Sequence, residues 1–387
     1  MENLKVKAII GEVFDEIATG LETGLFHDKI ALGLTLYGSE LGVDNLLKGA
    51  ENFQKDNADV EVVLIGPKVE TDLTLVEVES EDVQYKVMEE LLDSGRIQGC
   101  VTMHYSFPIG VSTVGRTVTP GFGKKMYVAT TTGTSSAHRN EAMVLNAIAG
   151  IVSAKAAGNP DPSVGILNVD GARTVERALR ELSEGGYKIN FAESDRADGG
   201  TVMRGNDLLR GTPDVMVTDT LTGNLLMKTF SSFHTGGNFE AVGDGYGPGM
   251  GQGFDRLVLI LSRVSGSPVV TNALGYAKDL VIGKVNEVAE AEYKKAKAAG
   301  LDTILEGLTQ SKDKAAAEEE VTAPPEEVTT GEISGIDILE LEDAVKVLWK
   351  EGIYASSGMG CTGPIVMVNE TKVGVAIQIL TDAGYIG

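Results

Sequence analysis

Short apolar runs alternate with amphipathic segments along most of the chain. Runs typical of buried strands occupy residues 29–36, 60–66, 97–103, 125–132, 164–169 and 214–219. Apolar positions recur at helical spacing in residues 42–55, 81–95, 142–157 and 174–183. Strand, helix and strand in close succession form a crossover unit, and such units build parallel sheets covered on both faces. The pattern therefore predicts an α/β fold with an open, mostly parallel sheet and helices on both faces.

Both ends of the chain depart from this alternation. Residues 1–24 predict one amphipathic helix that is closed by glycine. Residues 311–332 contain seven acidic residues, two lysines and a Pro-Pro pair without a hydrophobic period, which indicates a solvated linker. A charged surface helix over residues 315–321 is the alternative for the first half of this segment. We therefore expect the core to span residues 1–310, in one or two lobes.

Residues 333–387 predict a small C-terminal α/β unit. Its expected elements are helices at 339–350 and 372–383 and strands at 353–355 and 365–368. About 55 residues are marginal for an independent domain, so we expect this unit to dock on the core or on a partner chain.

Composition narrows the range of partners. The formal net charge of −23 argues against nucleic acid and anionic membranes, because both repel an acidic surface. The first residues lack the basic and apolar regions of a signal peptide, and no segment reaches the roughly 18 apolar residues of a membrane helix. Two distant cysteines and four scattered histidines form no disulfide framework and no metal-ligand spacing. We expect a cytoplasmic protein without a metal site.

Cys361 is the candidate nucleophile, because glycines surround it. Gly358 and Gly360 precede the cysteine and Gly363 follows it, an arrangement that permits sharp turns and lets backbone N–H groups converge on the sulfur. Such donors stabilise a thiolate and later the oxyanion of an acyl intermediate. The alternative is a cysteine packed in a tight turn. Cys100 stands at a helix-to-strand step, where a structural cysteine is expected.

A second glycine-rich segment runs from Gly243 to Gly253, with six glycines at alternate positions. We predict an apolar helix over residues 254–263 after it, so the segment is a candidate anion-cradling loop. It is not followed by Gly-Lys-Ser/Thr and is therefore not a P-loop.

Several segments together resemble known families. Residues 204–211, RGNDLLRG, and residues 214–228, DVMVTDTLTGNLLMK, resemble blocks of the PlsX-type phosphate acyltransferases, which are related in fold to phosphotransacetylases. The residues after the first strand, GLTLYGS, depart from that family's DAMGGD. The glycine-rich segments around residues 243–253 and 356–369 resemble the alpha subunits of component C of glycine/sarcosine/betaine reductase, and this resemblance covers nearly the whole chain.

The second resemblance implies the last step of a Stickland-type amino-acid reduction. In that family a selenoprotein, selenoprotein A, carries a carboxymethyl group on its selenocysteine. The alpha and beta subunits of component C receive the two-carbon unit as an acetyl thioester and release it to inorganic phosphate as acetyl phosphate. Carried over by motif, Cys361 would accept the acetyl group. Phosphate is then a substrate, and no cofactor is implied.

Transfer to phosphate requires an anion site, which backbone N–H groups can supply. Thr222, Gly223 and Asn224 stand between a strand end and a helix start, where α/β sheets bind ligands. Gly205 and Asn206 form a similar candidate, for which the alternative is a plain turn. Gly358 and Gly360, beside Cys361, are further candidates for binding substrate or phosphate. Lys228 could face the same anion or be an ordinary surface lysine. The candidates for a general base are His104, Ser106, residues 130–134 and His138.

Two other functions remain open at this stage. The chain could be a PlsX-like acyl phosphate synthase that uses an acyl carrier protein. It could also be a scaffold whose beta subunit performs the chemistry, with Cys361 merely packed.

Overall fold

The computed structural model describes residues 29–196, 199–314, 321–337, 340–360 and 363–386. The predicted helix over residues 1–24 lies outside these ranges, as does Cys361. The core strands are β1 (Ile30–Thr35), β2 (Val60–Gly66), β3 (Thr74–Glu77), β4 (Gly99–Thr102), β5 (Val111–Val118), β6 (Lys125–Thr134), β7 (Ser163–Leu167), β8 (Asn190–Phe191), β9 (Val202–Met203), β10 (Val215–Val217), β11 (Gly247–Met250) and β12 (Val258–Ile260).

Nine helices are described for the core. They are α1 (Val43–Asp56), α2 (Glu81–Asp93), α3 (Arg139–Ala156), α4 (Ala172–Glu184), α5 (Gly205–Arg210), α6 (Thr220–Ser232), α7 (Ser267–Ile282), α8 (Val285–Ala298) and α9 (Leu301–Lys314). Within the described ranges, no helix is long and apolar enough to cross a membrane.

The twelve strands form one sheet in the order β3-β2-β1-β4-β12-β11-β5-β6-β10-β7-β8, with β9 beside β7. All pairs from β3 to β12 are parallel, and so are the pairs among β6, β10, β7, β8 and β9. The three pairings between these halves are antiparallel. The two parallel halves therefore run in opposite directions, and the predicted mostly parallel sheet is confirmed.

Helices cover both faces of the sheet, as predicted. One hydrophobic cluster joins α1, α3, α4, α7, α8 and α9 to one face through side chains such as Leu46, Met143 and Leu274. A second cluster joins α2, α5 and α6 to the other face through Met88, Leu208 and Met227. Helices α2 and α6 therefore share a face, and the candidate site lies on it.

Gly247 and Gly249 lie in strand β11 and no helix follows, so the prediction of an anion-cradling loop before a helix is wrong. Strand β11 lies between β12 and β5, and residues 254–263 contain strand β12 instead of a helix. A Cβ atom at Gly247 would lie 1.7 Å from the carbonyl oxygen of Val114, and one at Gly251 would lie 2.4 Å from that of Gly110. At these two positions glycine lets the neighbouring backbones come close together, because no side chain fits between them.

A buried charge cluster lies beside these antiparallel strands. Arg116 on β5 is 4% exposed, donates from Nε to Asp244, and contacts Asp279 through Nη1 at 2.8 Å. Its guanidinium also lies 4.1 Å from the ring centroid of Tyr276. Burial alone would lower the pKa of Arg116, but the charge of Asp244, the nearby tyrosines and the bond to Asp279 together raise it. The cluster joins β5, the segment before β11 and α7.

Replacement of Arg116 by Met should destabilise the fold, because it leaves the buried carboxylate of Asp244 without its main partner. Loss of one partner of a buried ion pair lowers the free energy of unfolding by about 3–5 kcal/mol. Lys125 lies 3.4 Å from the same carboxylate but its side chain is 58% exposed, so Lys125→Met is the matched control and should cost less than about 1 kcal/mol. Urea unfolding measures both, and equal losses would contradict the role of Arg116.

The C-terminal unit has its own sheet and its own hydrophobic cluster. Strands β13 (Gly331–Ser334), β14 (Ala355–Gly360) and β15 (Gly363–Val368) form an antiparallel sheet in the order β13-β15-β14. Helices α10 (Leu341–Lys350) and α11 (Val373–Asp382) pack against it. A small α/β unit was predicted for this part of the chain, and one is found.

The boundaries of the predicted linker are shifted at both ends. Helix α9 continues to Lys314, and β13 begins at Gly331, while residues 321–330 form neither helix nor strand.

The C-terminal unit contacts the core through Glu340, whose two carboxylate oxygens accept from Nη2 of Arg177 on α4 at 2.9 and 2.7 Å. Both side chains are about one-third exposed, and exposed pairs of this kind contribute roughly 0–1 kcal/mol.

The glycine loop was predicted over residues 357–363, of which residues 357–360 and Gly363 belong to paired strands, while Cys361 and Thr362 lie outside the described residues. Gly358 pairs with Ile365, and Gly360 pairs with Gly363 across the two strands. Antiparallel pairing satisfies the backbone groups of both strands, which a loop of the same length would leave to solvent. In the sequence, the cysteine stands between the ends of the two strands of this β-hairpin.

Candidate functional site

A cleft of about 350 Å³ opens on the face that carries α2 and α6. Its floor is at the carboxyl ends of β4 and β12, where β11 begins, and α6 borders the other side. The lining residues are Glu40, Met103, Thr132, Asn224, Lys228, Tyr246 and residues 260–264. Carboxyl ends of parallel strands are the usual ligand-binding edge of α/β sheets.

Two cations lie in this cleft, each at a long ion-pair distance from a carboxylate, and Glu40 also lines the cleft. Lys228 is 51% exposed at its side chain, and its Nζ is 3.9 Å from Glu240. Arg263 is equally exposed, and its Nη2 is 3.7 Å from Glu81. Ammonium and guanidinium groups with such distant partners can still donate to a bound anion. The arrangement therefore suits a small anion, and phosphate is of that class.

A larger cavity of about 600 Å³ lies at the opposite edge of β4 and β12. Its cations have close acidic partners: Arg256 contacts Asp93 at 2.8 Å, and Lys284 contacts Glu287 at 3.1 Å. These pairs already neutralise the positive charge that an anion would need. We therefore assign the candidate site to the smaller cleft.

Helix α6 lies unusually close to strand β6, because Gly223 faces the strand. A Cβ atom at Gly223 would lie 1.7 Å from the carbonyl oxygen of Thr130. The next residue, Asn224, donates from its side-chain amide to the carbonyl oxygen of Thr131 at 3.1 Å and lines the cleft. A second N–H of that amide remains for a ligand. Gly223 thus acts in packing, and it places Asn224 and Lys228 at the cleft.

The amino end of α6 already binds an anion of its own chain. Asp219 caps the helix, and its carboxylate accepts from the amide of Thr222 at 3.0 Å and from the hydroxyl of the same residue at 2.7 Å. The amide of Gly223 donates to the backbone carbonyl of Asp219. Burial alone would raise the pKa of Asp219, but the bonds from Thr222 and the ion pair with Arg139 lower it. The sequence predicted that phosphate binds at these amides. To bind there, phosphate has to compete with the carboxylate of Asp219.

Other predicted residues lie away from the cleft. Gly205 and Asn206 are exposed at the start of α5, and Gly358 and Gly360 belong to the hairpin strand β14. None of the four lines the cleft.

Of the candidates for a general base, Thr132 lines the cleft, whereas His104, Ser106 and His138 are exposed elsewhere. Thr131 is buried beneath it and donates to the carbonyl oxygen of Tyr246 at 2.7 Å. The described lining contains no histidine.

Cys100 is a structural cysteine, as predicted. It is fully buried in β4, and its sulfur would lie 2.7 Å from a Cβ atom at Gly33 of the neighbouring strand. Burial raises the pKa of the Cys100 thiol, which keeps it protonated and unreactive.

Sequence reasoning missed Glu40, Tyr246 and Arg263. Arg263 was assigned to the end of a helix over residues 254–263, whereas it follows the short strand β12. The apolar residues 257–261 are the signal that could have found it, because a residue just after a buried strand is a ligand candidate.

The comparisons with known proteins agree on the family. The profile of the family described as fatty acid synthesis protein matches residues 30–367. Over 381 residues the chain is 63% identical to the glycine/sarcosine/betaine reductase complex component C subunit alpha of Peptoclostridium acidaminophilum, covering 98% of this chain and 99% of that protein. The chain belongs to the family of component C alpha subunits, within the fatty acid synthesis protein family.

Several more distant relatives of this component C alpha family member are named phosphate acyltransferases. A phosphate acyltransferase of Thermotoga petrophila is 27% identical over 236 residues, covering 52% of this chain and 68% of that protein. Among solved structures, a branched-chain phosphotransacylase from Enterococcus faecalis V583 matches with a TM-score of 0.47 and 15% identity, covering 65% of this chain and 99% of that one.

Replacement of Gly223 by Ala should move α6 away from β6 and weaken the site. The added methyl group meets a backbone oxygen that cannot rotate away, and such overpacking lowers the free energy of unfolding by about 1–3 kcal/mol. A Cβ atom at Gly275, inside α7, would have no neighbour within 4 Å, so Gly275→Ala is the matched control. The Gly275→Ala variant should raise the free energy of unfolding by up to about 1 kcal/mol. Urea unfolding of both variants tests this, and a harmless Gly223→Ala would refute the close-packing role.

Proposed function

We propose that this component C alpha family member is an acyl-transferring subunit. It passes an acetyl group from Cys361 to inorganic phosphate that is bound in the smaller cleft, beside α6. The observation that carries the proposal is the pair of cations, Lys228 and Arg263, with the amide of Asn224 in the same cleft. Names of the relatives supply the reaction class, because they include a component C alpha subunit and phosphate acyltransferases.

The cleft is lined by two cations, Lys228 and Arg263, and one carboxylate, Glu40, in a chain whose formal net charge is −23. A dianion approaching this protein is repelled by most of its surface, so a local pair of cations is needed to hold it. Lys228 and Arg263 supply charge, and Asn224 supplies a directional N–H donor. Tyr246 and Met103 line the same cleft.

The chemistry is a simple displacement. A phosphate oxygen attacks the carbonyl carbon of the Cys361 acetyl thioester, the C–S bond breaks, and the thiolate leaves. The products are acetyl phosphate and the thiolate of Cys361, which is then ready for another acetyl group. N–H donors near the carbonyl oxygen stabilise the negative charge that develops there. Lys228 and Arg263 offset the charge of the attacking phosphate.

The acetyl donor and the partners belong to the same proposal. The two-carbon unit derives from the carboxymethyl group on the selenocysteine of selenoprotein A. Its conversion to an acetyl thioester breaks the C–Se bond with two electrons from a thiol reductant and releases water, before the transfer to phosphate. The component C beta subunit assembles with this chain. The name of the relative from Peptoclostridium acidaminophilum, a subunit of a multi-component reductase complex, supports partners of this kind. We propose a cytoplasmic location for the assembly.

The proposal requires the hairpin and the cleft to meet. No described residue of the C-terminal unit lines the cleft, and the unit rests on α4 through Arg177 and Glu340. A weak, partly exposed contact of this kind can break at little cost. The hairpin end then approaches the bound phosphate by movement of the whole unit.

Incubation of the protein and its partner subunit with acetyl phosphate should place an acetyl group of about 42 Da on Cys361, because the transfer is reversible. Peptide mass spectrometry locates the adduct, and treatment with hydroxylamine should remove it, as expected for a thioester. The Cys361→Ser variant is the control, and buried Cys100 serves as an internal control that remains unmodified. Absence of an adduct on Cys361 would reject the nucleophile and favour the scaffold function.

Replacement of Lys228 by Gln should weaken the use of phosphate. Loss of one charge-assisted contact of about 1.4–2 kcal/mol raises the KM for phosphate roughly ten- to thirtyfold. Lys284→Gln is the control, because Lys284 is 69% exposed and pairs with Glu287 away from the cleft. The rate of phosphate-dependent discharge of the acetylated protein, measured against phosphate concentration, gives both constants. Equal KM values for the two variants would exclude this cleft as the phosphate site.

A further inference from the structure

Glu240 is a buried carboxylate beneath the cleft to which neither the sequence motifs nor the proposed reaction assigns a role. It is 2% exposed and lies between α6 and β11. A carboxylate removed from water is unfavourable unless donors and cations surround it. Its neighbours therefore indicate what the residue does.

Both carboxylate oxygens of Glu240 are occupied by hydroxyl donors. The hydroxyl of Tyr246 donates to Oε1 at 2.8 Å, and the hydroxyl of Ser265 donates to Oε2 at 3.0 Å. Burial and the adjacent carboxylate raise the pKa of Tyr246, so its hydroxyl keeps the proton that it donates. Two such bonds from different segments fix the carboxylate in one orientation.

The same carboxylate connects to Lys228. The Nζ atom of Lys228 is 3.9 Å from Oε1 of Glu240 and 5.5 Å from the ring centroid of Tyr246. The ammonium group is thus attracted by a fixed negative charge on one side and by an aromatic face on the other. A lysine side chain has several rotatable bonds, and these two attractions favour the rotamers that keep it over the cleft.

The carboxylate also connects to the turn that carries Arg263. Ser265, which donates to Glu240, accepts through its own Oγ from the amide of Ser262 at 3.1 Å. The backbone of Glu240 accepts from the amide of Gly266 and donates to the carbonyl oxygen of Val264, at 2.8 and 2.9 Å. Arg263 therefore stands inside a turn that is tied to Glu240 at several points.

We propose that Glu240 is a positioning residue for the anion site: its carboxylate orients the ammonium group of Lys228 and fixes the turn that presents Arg263. This inference rests on the proposed phosphate site. Without the carboxylate charge, Lys228 samples more rotamers in solvent and must be ordered when phosphate binds, which lowers affinity. The reacting acetyl group is not touched by Glu240, so the maximal rate is expected to change little.

The chain offers a matched control in Glu292 on α8. Glu292 is 4% exposed, accepts from the hydroxyl of Tyr187 at 3.0 Å, and contacts Lys155 at 2.9 Å. It also contacts Lys295 at 2.8 Å. Glu292 is thus a buried carboxylate with a tyrosine and lysine partners, like Glu240, but neither it nor these partners line the cleft. A purely structural role would make the two glutamates equivalent.

The experiment compares Glu240→Gln with Glu292→Gln in the full chain. Calorimetric titration with inorganic phosphate gives the Kd, and phosphate-dependent discharge of the acetylated protein gives KM and the maximal rate. Glu240→Gln should raise both Kd and KM about five- to tenfold with a maximal rate within about twofold of the native value, because uniform binding is lost. Tyr246→Phe, which removes one donor to the carboxylate, should shift Kd in the same direction by less. Glu292→Gln should leave Kd and KM unchanged.

Three results would overturn the inference. An unchanged Kd in Glu240→Gln shows that the carboxylate does not act on the site, and a lower Kd shows that it only repels the anion. Equal changes in Glu240→Gln and Glu292→Gln show a general loss of structure. Titration of Lys228→Gln separates this inference from the proposed function: if the native chain binds phosphate and Lys228→Gln does not, the site stands whatever Glu240 does. If the native chain binds no phosphate, the proposed function is rejected, and the inference about Glu240 is rejected with it.

Discussion

Strand β11 approaches β5 so closely that only glycine fits at position 247, where a Cβ atom would lie 1.7 Å from a carbonyl oxygen. This pairing joins two parallel half-sheets that run in opposite directions. Because of the reversal, β11 begins at the edge where β4 and β12 end, and α6 runs back along the same face toward that edge. The cleft exists where these segments meet. Arg116 and Asp244 add an ionic contact at the same junction.

The proposed anion site depends on local arrangement, because the overall charge of the chain opposes anion binding. The helix end that the sequence offered as an anion site is occupied by Asp219, which accepts from the Thr222 amide. The cleft uses side chains instead, with Lys228 and Arg263 kept at a distance from acidic partners. Glu240 lies below the surface of the cleft and not within it, so its charge can orient a cation without occupying the anion position.

The proposed function uses the C-terminal unit as the carrier of the acetyl group and the core as the site of its acceptor. Each has its own hydrophobic cluster, and among the described residues Glu340 of the unit contacts Arg177 and Thr174 on α4. A unit with a complete core can move as a rigid body when such a contact breaks. The hairpin geometry suits this task, because backbone pairing holds the strands on either side of Cys361 as far as Gly360 and Gly363.

The amino-acid sequence by itself determined the α/β class, the helices on both faces, the C-terminal unit and the structural role of Cys100. These features follow from hydrophobic periodicity, which is a local property. The sequence predicted the positions of Asn224 and Lys228 near a strand end, but it misread β11 and β12, because glycine-rich and very short strands have no period of their own. Only the tertiary structure decided that these strands fill the centre of the sheet, that the hairpin replaces a loop, and that Arg263, Tyr246 and Glu240 surround one cleft. Contacts between residues so far apart in the chain arise from packing, and no local pattern encodes them.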